Sequence, residues 1–237
     1  MPRLSRFPIT RRWPPKHPDR LQLYSLNTPN GVKVSIMLEE TGVPYEAHLV
    51  DISADESWSE DFLSLNPNGK IPAIIDPDGP DGQPLGLAES GAILIYLADK
   101  TAKLLAGGGR RYETIQWVMW QMGHVGPMFG QVGFFHKFAG REWEDKRPLQ
   151  RYADESKRLL QMLDDRLAGR EWIMGDYSIA DIATAGWVRN LIDFYGAAHL
   201  VGYDGFENVD AWLRRWVARP AVKRGLQIPS KAAIRRN

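Results

Sequence analysis

Three short turns carry the residues with which this sequence could do chemistry. Thr28-Pro29-Asn30-Gly31 follows an alternating run, 21–26, and opens a segment, 32–41, whose apolar residues recur at helical spacing. Backbone N–H groups at a helix start lack intrahelical partners and the helix dipole is positive there, so this turn favours an anion. A thiol placed at it would lose its proton more readily than in water. The chain contains no cysteine, so such a thiol would have to arrive with a ligand. Thr28 and Asn30 are equally the residue types that cap helices, and the turn alone leaves both readings open.

The second turn, Asn66-Pro67-Asn68-Gly69-Lys70, leads through Ile71-Pro72 into an apolar strand. With a trans bond, Pro72 would suit an edge strand. With a cis bond, it would turn the N–H and C=O of Ile71 outward, toward an extended ligand. The third turn is Glu89-Ser90, at the head of the helical run 91–102. Serine caps helices, a helix N-terminus can hold a carboxylate, and glutamate can pair with an ammonium. Alone, this pair is an ordinary cap.

Other chemistry finds little support. The absence of cysteine removes disulfides, thiolate metal sites and a cysteine nucleophile. His17, His48, His124, His136 and His199 are scattered without ligand spacing, so no metal is expected. Gly-x-Ser-x-Gly is missing, and Gly107-Gly108-Gly109 lacks the Lys-Ser/Thr ending of a phosphate loop. A net charge of +1 argues against a general nucleic-acid binder. With no membrane-length apolar run and no secretory apolar core at the N-terminus, the expectation is a cytoplasmic protein without a membrane partner.

The elements that must position the three turns follow from periodicity and punctuation. Strands are expected at 21–26, 45–52, 71–76 and 85–88, and helices at 32–41, 57–65 and 91–102, an order of β-α-β-α-β-β-α. Such alternation ending in a hairpin predicts a small mixed sheet with helices packed on it. Gly107-Gly108-Gly109 marks a boundary, beyond which helical runs follow at 110–126, 128–138, 147–168, 178–194 and 207–218. Pro127 is expected to kink or break the first long one. Ser178 with Asp181 reads as a capping box. The expected domains are an arm at 1–20, a mixed domain at 21–104 and a helical domain at 110–226. The arm carries Arg3, Arg6, Arg11, Arg12, Lys16 and Arg20 against Asp19, and five prolines bar a regular helix. It reads as a segment lying over the globular body, with a transit peptide or a nucleic-acid arm as alternatives.

Together the three turns match a family. The runs TPNGVKVSIMLEETGVPYEAHLVDI, LNPNGKIPAIID and LAESGAILIYLADK resemble the N-terminal domain of the cytosolic glutathione transferases. WQMGHVGPMFGQ, LQRYADESKRLLQMLDDRL and DYSIADIA are similar to their second domain, and the resemblance covers about residues 20–225. Thr-Pro-Asn and Gly-Pro-Met look like the nu class, the bacterial glutathione-dependent disulfide-bond oxidoreductases. The resemblance implies a thioredoxin-like first domain followed by an all-helical one, and glutathione as the substrate with no metal. It implies that Ile71, before a cis Pro72, bonds the cysteinyl backbone of glutathione, and that Glu89 and Ser90 hold the γ-glutamyl amine and carboxylate. Thr28 and Asn30 would stand beside the sulfur as catalytic groups, and Arg151 would contact the glutathione pair. Ser57 departs from the pattern, occupying a position where relatives often carry Gln.

The implied activity is disulfide reduction by two glutathiones acting on a small disulfide. The alternatives are conjugation of glutathione to an electrophile, reduction of an organic hydroperoxide, or a non-catalytic glutathione-binding regulator. A homodimer is implied as well, and the apolar surplus in 110–126, including Trp117 and Trp120, points the same way.

Overall fold

The computed structural model describes residues 4–229, so Arg3 of the basic arm lies outside the described residues. The chain forms two compact units. One runs from the N-terminal residues to Thr101 and includes the segment from Pro220 onward; the other is Ala102–Arg219.

The first unit contains α1 (Ile9–Arg12), β1 (Leu21–Ser25), α2 (Gly31–Thr41), β2 (Tyr45–Leu49), α3 (Glu60–Leu63), β3 (Ala73–Asp76), β4 (Leu85–Ala88) and α4 (Ser90–Thr101). The sheet order is β2-β1-β3-β4. β1 runs parallel to β2 and antiparallel to β3, and β3 is antiparallel to β4. The alternation at 21–26 suggests a half-buried strand, yet every residue of β1 is buried. The reason is that both faces of the sheet are covered. Tyr24, Ala73 and Ile75 share a core with Leu4 and Ile9 of the arm and Phe62 of α3. Leu21, Leu23 and Ile74 point the other way, toward the face on which α2 and α4 pack together.

Prolines limit the arm to one helical turn, but its apolar residues anchor it. Trp13 meets Tyr24 and Phe62 edge-on, with ring centroids 6.1 and 6.4 Å apart, and its Nε1 donates to Leu49 O at 2.9 Å. The backbone N–H groups of Lys16 and His17 donate to the Glu46 carboxylate at 3.0 and 2.7 Å. The arm therefore runs along β2, an edge strand that would otherwise be open to pairing. Segment 57–65 is not one helix: a 3₁₀ turn, Glu56–Trp58, precedes α3, whose cap is Ser59, the acceptor of Phe62 N–H at 3.3 Å.

The second unit contains α5 (Gly108–Trp120), α6 (Gly126–His136), α7 (Arg147–Leu167), α8 (Ile179–Arg189), α9 (Ala198–Val201) and α10 (Glu207–Ala218). Pro127 does not break the chain. A π-helical turn, Gln121–Val125, joins α5 to α6 and places Pro127 in the first turn of α6, where its missing N–H costs little. The expected capping box opens α8: Asp181 Oδ2 accepts from Ser178 N at 3.0 Å. Asp181 Oδ1 also accepts from Ile173 N and Trp212 Nε1, each at 2.9 Å, so one buried carboxylate ties α8 to the preceding loop and to α10.

The helical domain expected to extend to 226 ends earlier. A final helix, α11 (Pro220–Gly225), packs on α2 in the first unit, and Ser35 Oγ donates to Gly225 O at 2.7 Å. No periodicity within 220–226 distinguishes a partner in the first unit from one in the second. The first unit is thioredoxin-like and the second is all-helical, as the resemblance implied.

Candidate active site

Strand register brings the three turns together. Ala73, at the start of β3, lies opposite both Tyr24 near the end of β1 and Ala88 at the end of β4. The segment after β1, the Ile71-Pro72 segment before β3 and the Glu89-Ser90 segment after β4 therefore all leave the sheet at the same end.

At the first turn, Thr28 N donates to Leu26 O at 2.7 Å, and Thr28 Oγ1 accepts from Gly31 N at 3.3 Å. Thr28 thus caps the turn, and a hydroxyl that accepts one bond still carries a hydrogen it can donate. Asn30 already has helical backbone angles, φ −81° and ψ −38°, and its side chain does not cap α2. Gly31 is required by close approach: a Cβ there would lie 1.8 Å from Leu26 O. This contact pulls the start of α2 tightly against the end of β1, so the helix N-terminus faces the end of the sheet.

At the second turn, buried Asn66 organises the loop. Its Oδ1 accepts from Asn68 N at 3.1 Å and its Nδ2 donates to Lys70 O at 2.6 Å. The Ile71-Pro72 bond is cis. β3 is an interior strand, and its ladder begins at Ala73, beyond the backbone of Ile71. Ser57 is buried, while its neighbour Trp58 is 55% exposed and receives Lys70 Nζ over its ring at 5.7 Å.

At the third turn, Glu89 holds a left-handed backbone, φ +67°, and is exposed, whereas Ser90 is buried as the first residue of α4. The Ser90 hydroxyl accepts from Lys33 Nζ at 3.2 Å. Lys33 is a residue that periodicity did not single out. It is fully buried, and burial pushes its pKa down to about 7, partly opposed by the nearby Glu89 carboxylate. The signal was present: Lys33 is the one charge in the buried run 31–38 at the start of α2.

Arg151 is the remaining candidate, and it stands exposed on α7 in the helical unit. Tyr152 stacks on Phe135 at 5.7 Å, and Phe134 meets Phe135 edge-on at 5.0 Å, which places both in an aromatic cluster of that unit. A cleft of about 700 Å³ opens between the arm and β2, and none of the three turns lines it. Among the described residues there is no group of three or more His, Asp or Glu side chains that could hold a metal ion, and no helix is long and apolar enough to cross a membrane.

Residues 28–100 match the glutathione S-transferase N-terminal domain, and residues 126–220 match the glutathione S-transferase C-terminal domain. The chain is 40% identical over 220 residues to the disulfide-bond oxidoreductase YghU of Escherichia coli, covering 89% of this chain and 74% of that protein. It is 68% identical to a glutathione transferase from Burkholderia graminis, whose crystal structure holds two glutathione molecules per subunit. That superposition has a TM-score of 0.94 and covers 95% of each chain. A glutathione transferase from Pseudomonas putida, solved with one glutathione disulfide per subunit, is 62% identical, with a TM-score of 0.94 over 95% of this chain and 99% of that one. With the three turns at one end of a thioredoxin-like sheet and both domain models matched, the chain belongs to the glutathione transferase family.

Proposed function

We propose that this protein is a glutathione-dependent disulfide-bond reductase of the nu class, with its glutathione site on the three turns. The observation that carries the reading is their convergence at one end of the sheet in a chain without cysteine. Two inter-strand steps span roughly 10 Å, the length of an extended tripeptide at about 3.3–3.6 Å per residue. Glutathione would lie across β1, β3 and β4, with its cysteinyl backbone on Ile71 before Pro72. Its γ-glutamyl group would meet Glu89 and Ser90, and its sulfur would lie at Thr28 and Asn30. Arg151 is assigned to the glutathione pair.

The chemistry follows from that placement. One glutathione thiolate attacks a sulfur of the disulfide R–S–S–R′, forming a glutathione mixed disulfide and releasing R′ thiolate. A second thiolate attacks the glutathione sulfur of that mixed disulfide, releasing R thiolate and leaving glutathione disulfide. Thiolates enter and leave in equal number, and both attacking sulfurs are small molecules. The ligands held by the B. graminis and P. putida structures, a glutathione pair and glutathione disulfide, correspond to the two ends of this sequence. The name of the E. coli relative is consistent with it.

The test is turnover of hydroxyethyl disulfide with reduced glutathione, coupled to glutathione disulfide formation. Conjugation of an electrophile or reduction of a hydroperoxide without disulfide turnover would overturn the assignment in favour of the other transferase activities. We further propose a cytoplasmic homodimer. Trp117 is buried within its own unit and offers nothing to a partner, but Tyr112 and Met119 on α5 are 73% and 51% exposed. A monomer in sedimentation at micromolar concentration would refute the dimer.

A further inference from the structure

We propose that Lys70, seated on the exposed ring of Trp58, binds the glycyl carboxylate of glutathione and selects ligands that end in a free carboxylate. The inference rests on the glutathione site proposed above and names how the third residue of the ligand is recognised. Strand order fixes where that residue lies. β2 runs parallel to β1 and is its outer neighbour, so the chain leaves both at the end of the sheet that carries the turns. Across that end stand, in order, the exit of β2, the exit of β1, the Ile71-Pro72 segment and Glu89-Ser90. With the γ-glutamyl group at Glu89-Ser90 and the cysteinyl backbone on Ile71, the glycyl residue continues away from β4, toward the side of β2. Backbone pairing gives the same direction. In an antiparallel pair, the residue after the cysteinyl lies opposite the residue before Ile71, which is Lys70. The glycyl residue is then about one step, roughly 3.3–3.6 Å, beyond the cysteinyl group.

The side chains at that place suit an anion. The chain that leaves β2 reaches the 3₁₀ turn Glu56–Trp58, which buries Ser57 and presents Trp58 to solvent. The Trp58 ring lies directly on the second turn. A Cβ at Gly69 would stand 2.8 Å from the ring, and Gly69 takes φ +63°, so both close approach and backbone conformation require glycine there. Asn66 Nδ2 donates to Lys70 O at 2.6 Å, which fixes the backbone beneath the lysine. Lys70 Nζ stands 5.7 Å from the ring centroid, within the roughly 6 Å reach of a cation–π contact. The ring thus restrains an exposed side chain without neutralising its charge. Glu56, the acid of the same turn, is engaged by Arg12 at 2.9 Å and by Asp51 N at 2.7 Å. Among the described residues no carboxylate pairs with Lys70, so its charge is left for a ligand.

The experiment is calorimetric titration with S-methylglutathione, whose blocked thiol cannot ionise, and with its glycinamide form, in which the terminal carboxylate is an uncharged amide. The unmodified protein should bind the acid about fivefold more tightly than the amide, the upper scale of an exposed ion pair. Lys70→Met should lower affinity for the acid to that for the amide and leave the amide unchanged. If Lys70→Met keeps the preference for the acid, or if the unmodified protein binds both ligands equally, the role of Lys70 is overturned while the glutathione site stands. An equal loss of affinity for both ligands in Lys70→Met also overturns it, because the lysine would then support the loop and not the carboxylate. If the unmodified protein binds neither ligand, the glutathione site itself is wrong, and this inference goes with it. Should Lys70→Met fail to fold, Lys70→Gln removes the charge with a polar end retained, and the same outcomes decide.

Discussion

Replacing Thr28 by Val separates the two tasks assigned to that hydroxyl. Valine has threonine's shape, so packing at the half-buried turn is preserved while both polar functions disappear. The cap is the smaller loss. Thr28 Oγ1 accepts from Gly31 N at 3.3 Å, toward the long end for such a bond, so its removal should cost less than about 1 kcal/mol of stability. The loss at the sulfur is larger, because a hydrogen bond to a charged group contributes about 1.5–3 kcal/mol. The pKa of the bound thiol should therefore rise by about one to two units, and turnover near neutral pH should fall by roughly ten- to a hundredfold. The backbone N–H groups at the start of α2 and the Asn30 amide remain, so activity should not vanish. Affinity should change less, since in the proposed binding mode Ile71, Glu89 and Ser90 hold the rest of the ligand. The assay is thiolate absorbance of bound glutathione against pH, with turnover measured alongside, and Thr28→Ser should restore both. If Thr28→Val keeps the original thiol pKa and rate while melting slightly lower, Thr28 is a helix cap and the catalytic assignment is wrong.

Three further outcomes are expected. Ser90→Ala should weaken glutathione binding about tenfold, the scale of one charged hydrogen bond, and unchanged affinity in calorimetry would remove Ser90 from the site. Lys33→Met should raise the melting temperature most at and below about pH 7. Between about pH 7 and the ordinary lysine range the unfolded chain holds a proton that folded Lys33 has shed, so the native protein gains stability there as pH rises and its deficit shrinks. A melting difference that stays constant with pH would refute this. Asp181→Ala strands the N–H groups of Ile173 and Ser178 and the Trp212 indole, costing about 4 kcal/mol, or roughly 10 °C in melting temperature. Burial also raises the pKa of Asp181 to about 6, so its contribution is fullest below the ordinary aspartate range and declines as pH rises through about 6. A melting point within a degree or two of the original would show that the carboxylate is replaceable.

What could be read without coordinates was local. The strand–turn–helix order of 21–102, the Ser178–Asp181 box and the three turns are written in neighbouring residues, and the structure contains them. What could not be read depended on residues distant in sequence. The burial of β1 on both faces needs the arm and α3 on one side and α2 with α4 on the other. Pro127 was expected to kink or break the helix because a proline rule knows nothing of the π turn that places it in the first turn of α6. α11 resembles any short helix, and only its seat on α2, with Ser35 bonded to Gly225, assigns it to the first unit. Of the candidate site, residue chemistry offered Thr28, Asn30, Ile71, Glu89 and Ser90 with other readings open, resemblance gave each its ligand contact, and Arg151 came from resemblance alone. Lys33 came from neither, because an ammonium within a helix is ordinarily a surface group until its burial is known.

Two helix N-termini, each favouring negative charge, lie at the end of the sheet, where the buried Lys33 is bonded to Ser90 and the nearby Glu89 carboxylate partly opposes the effect of its burial. Such an arrangement is costly in a protein selected for stability alone, since an apolar residue of lysine's length would fill the same space without desolvating a charge. Glutathione in its reactive form brings both a carboxylate and a thiolate, and in the proposed mode the start of α4 with Ser90 would meet the first and the start of α2 with Thr28 the second. The two anionic ends of the ligand would then be held by different helices tied to each other through one hydrogen bond. In that proposed mode a change at Ser90 should therefore reach the γ-glutamyl end directly and the sulfur only through the packing of α2 on α4, which separates its effect from that of Thr28: affinity falls in one case, thiol acidity in the other.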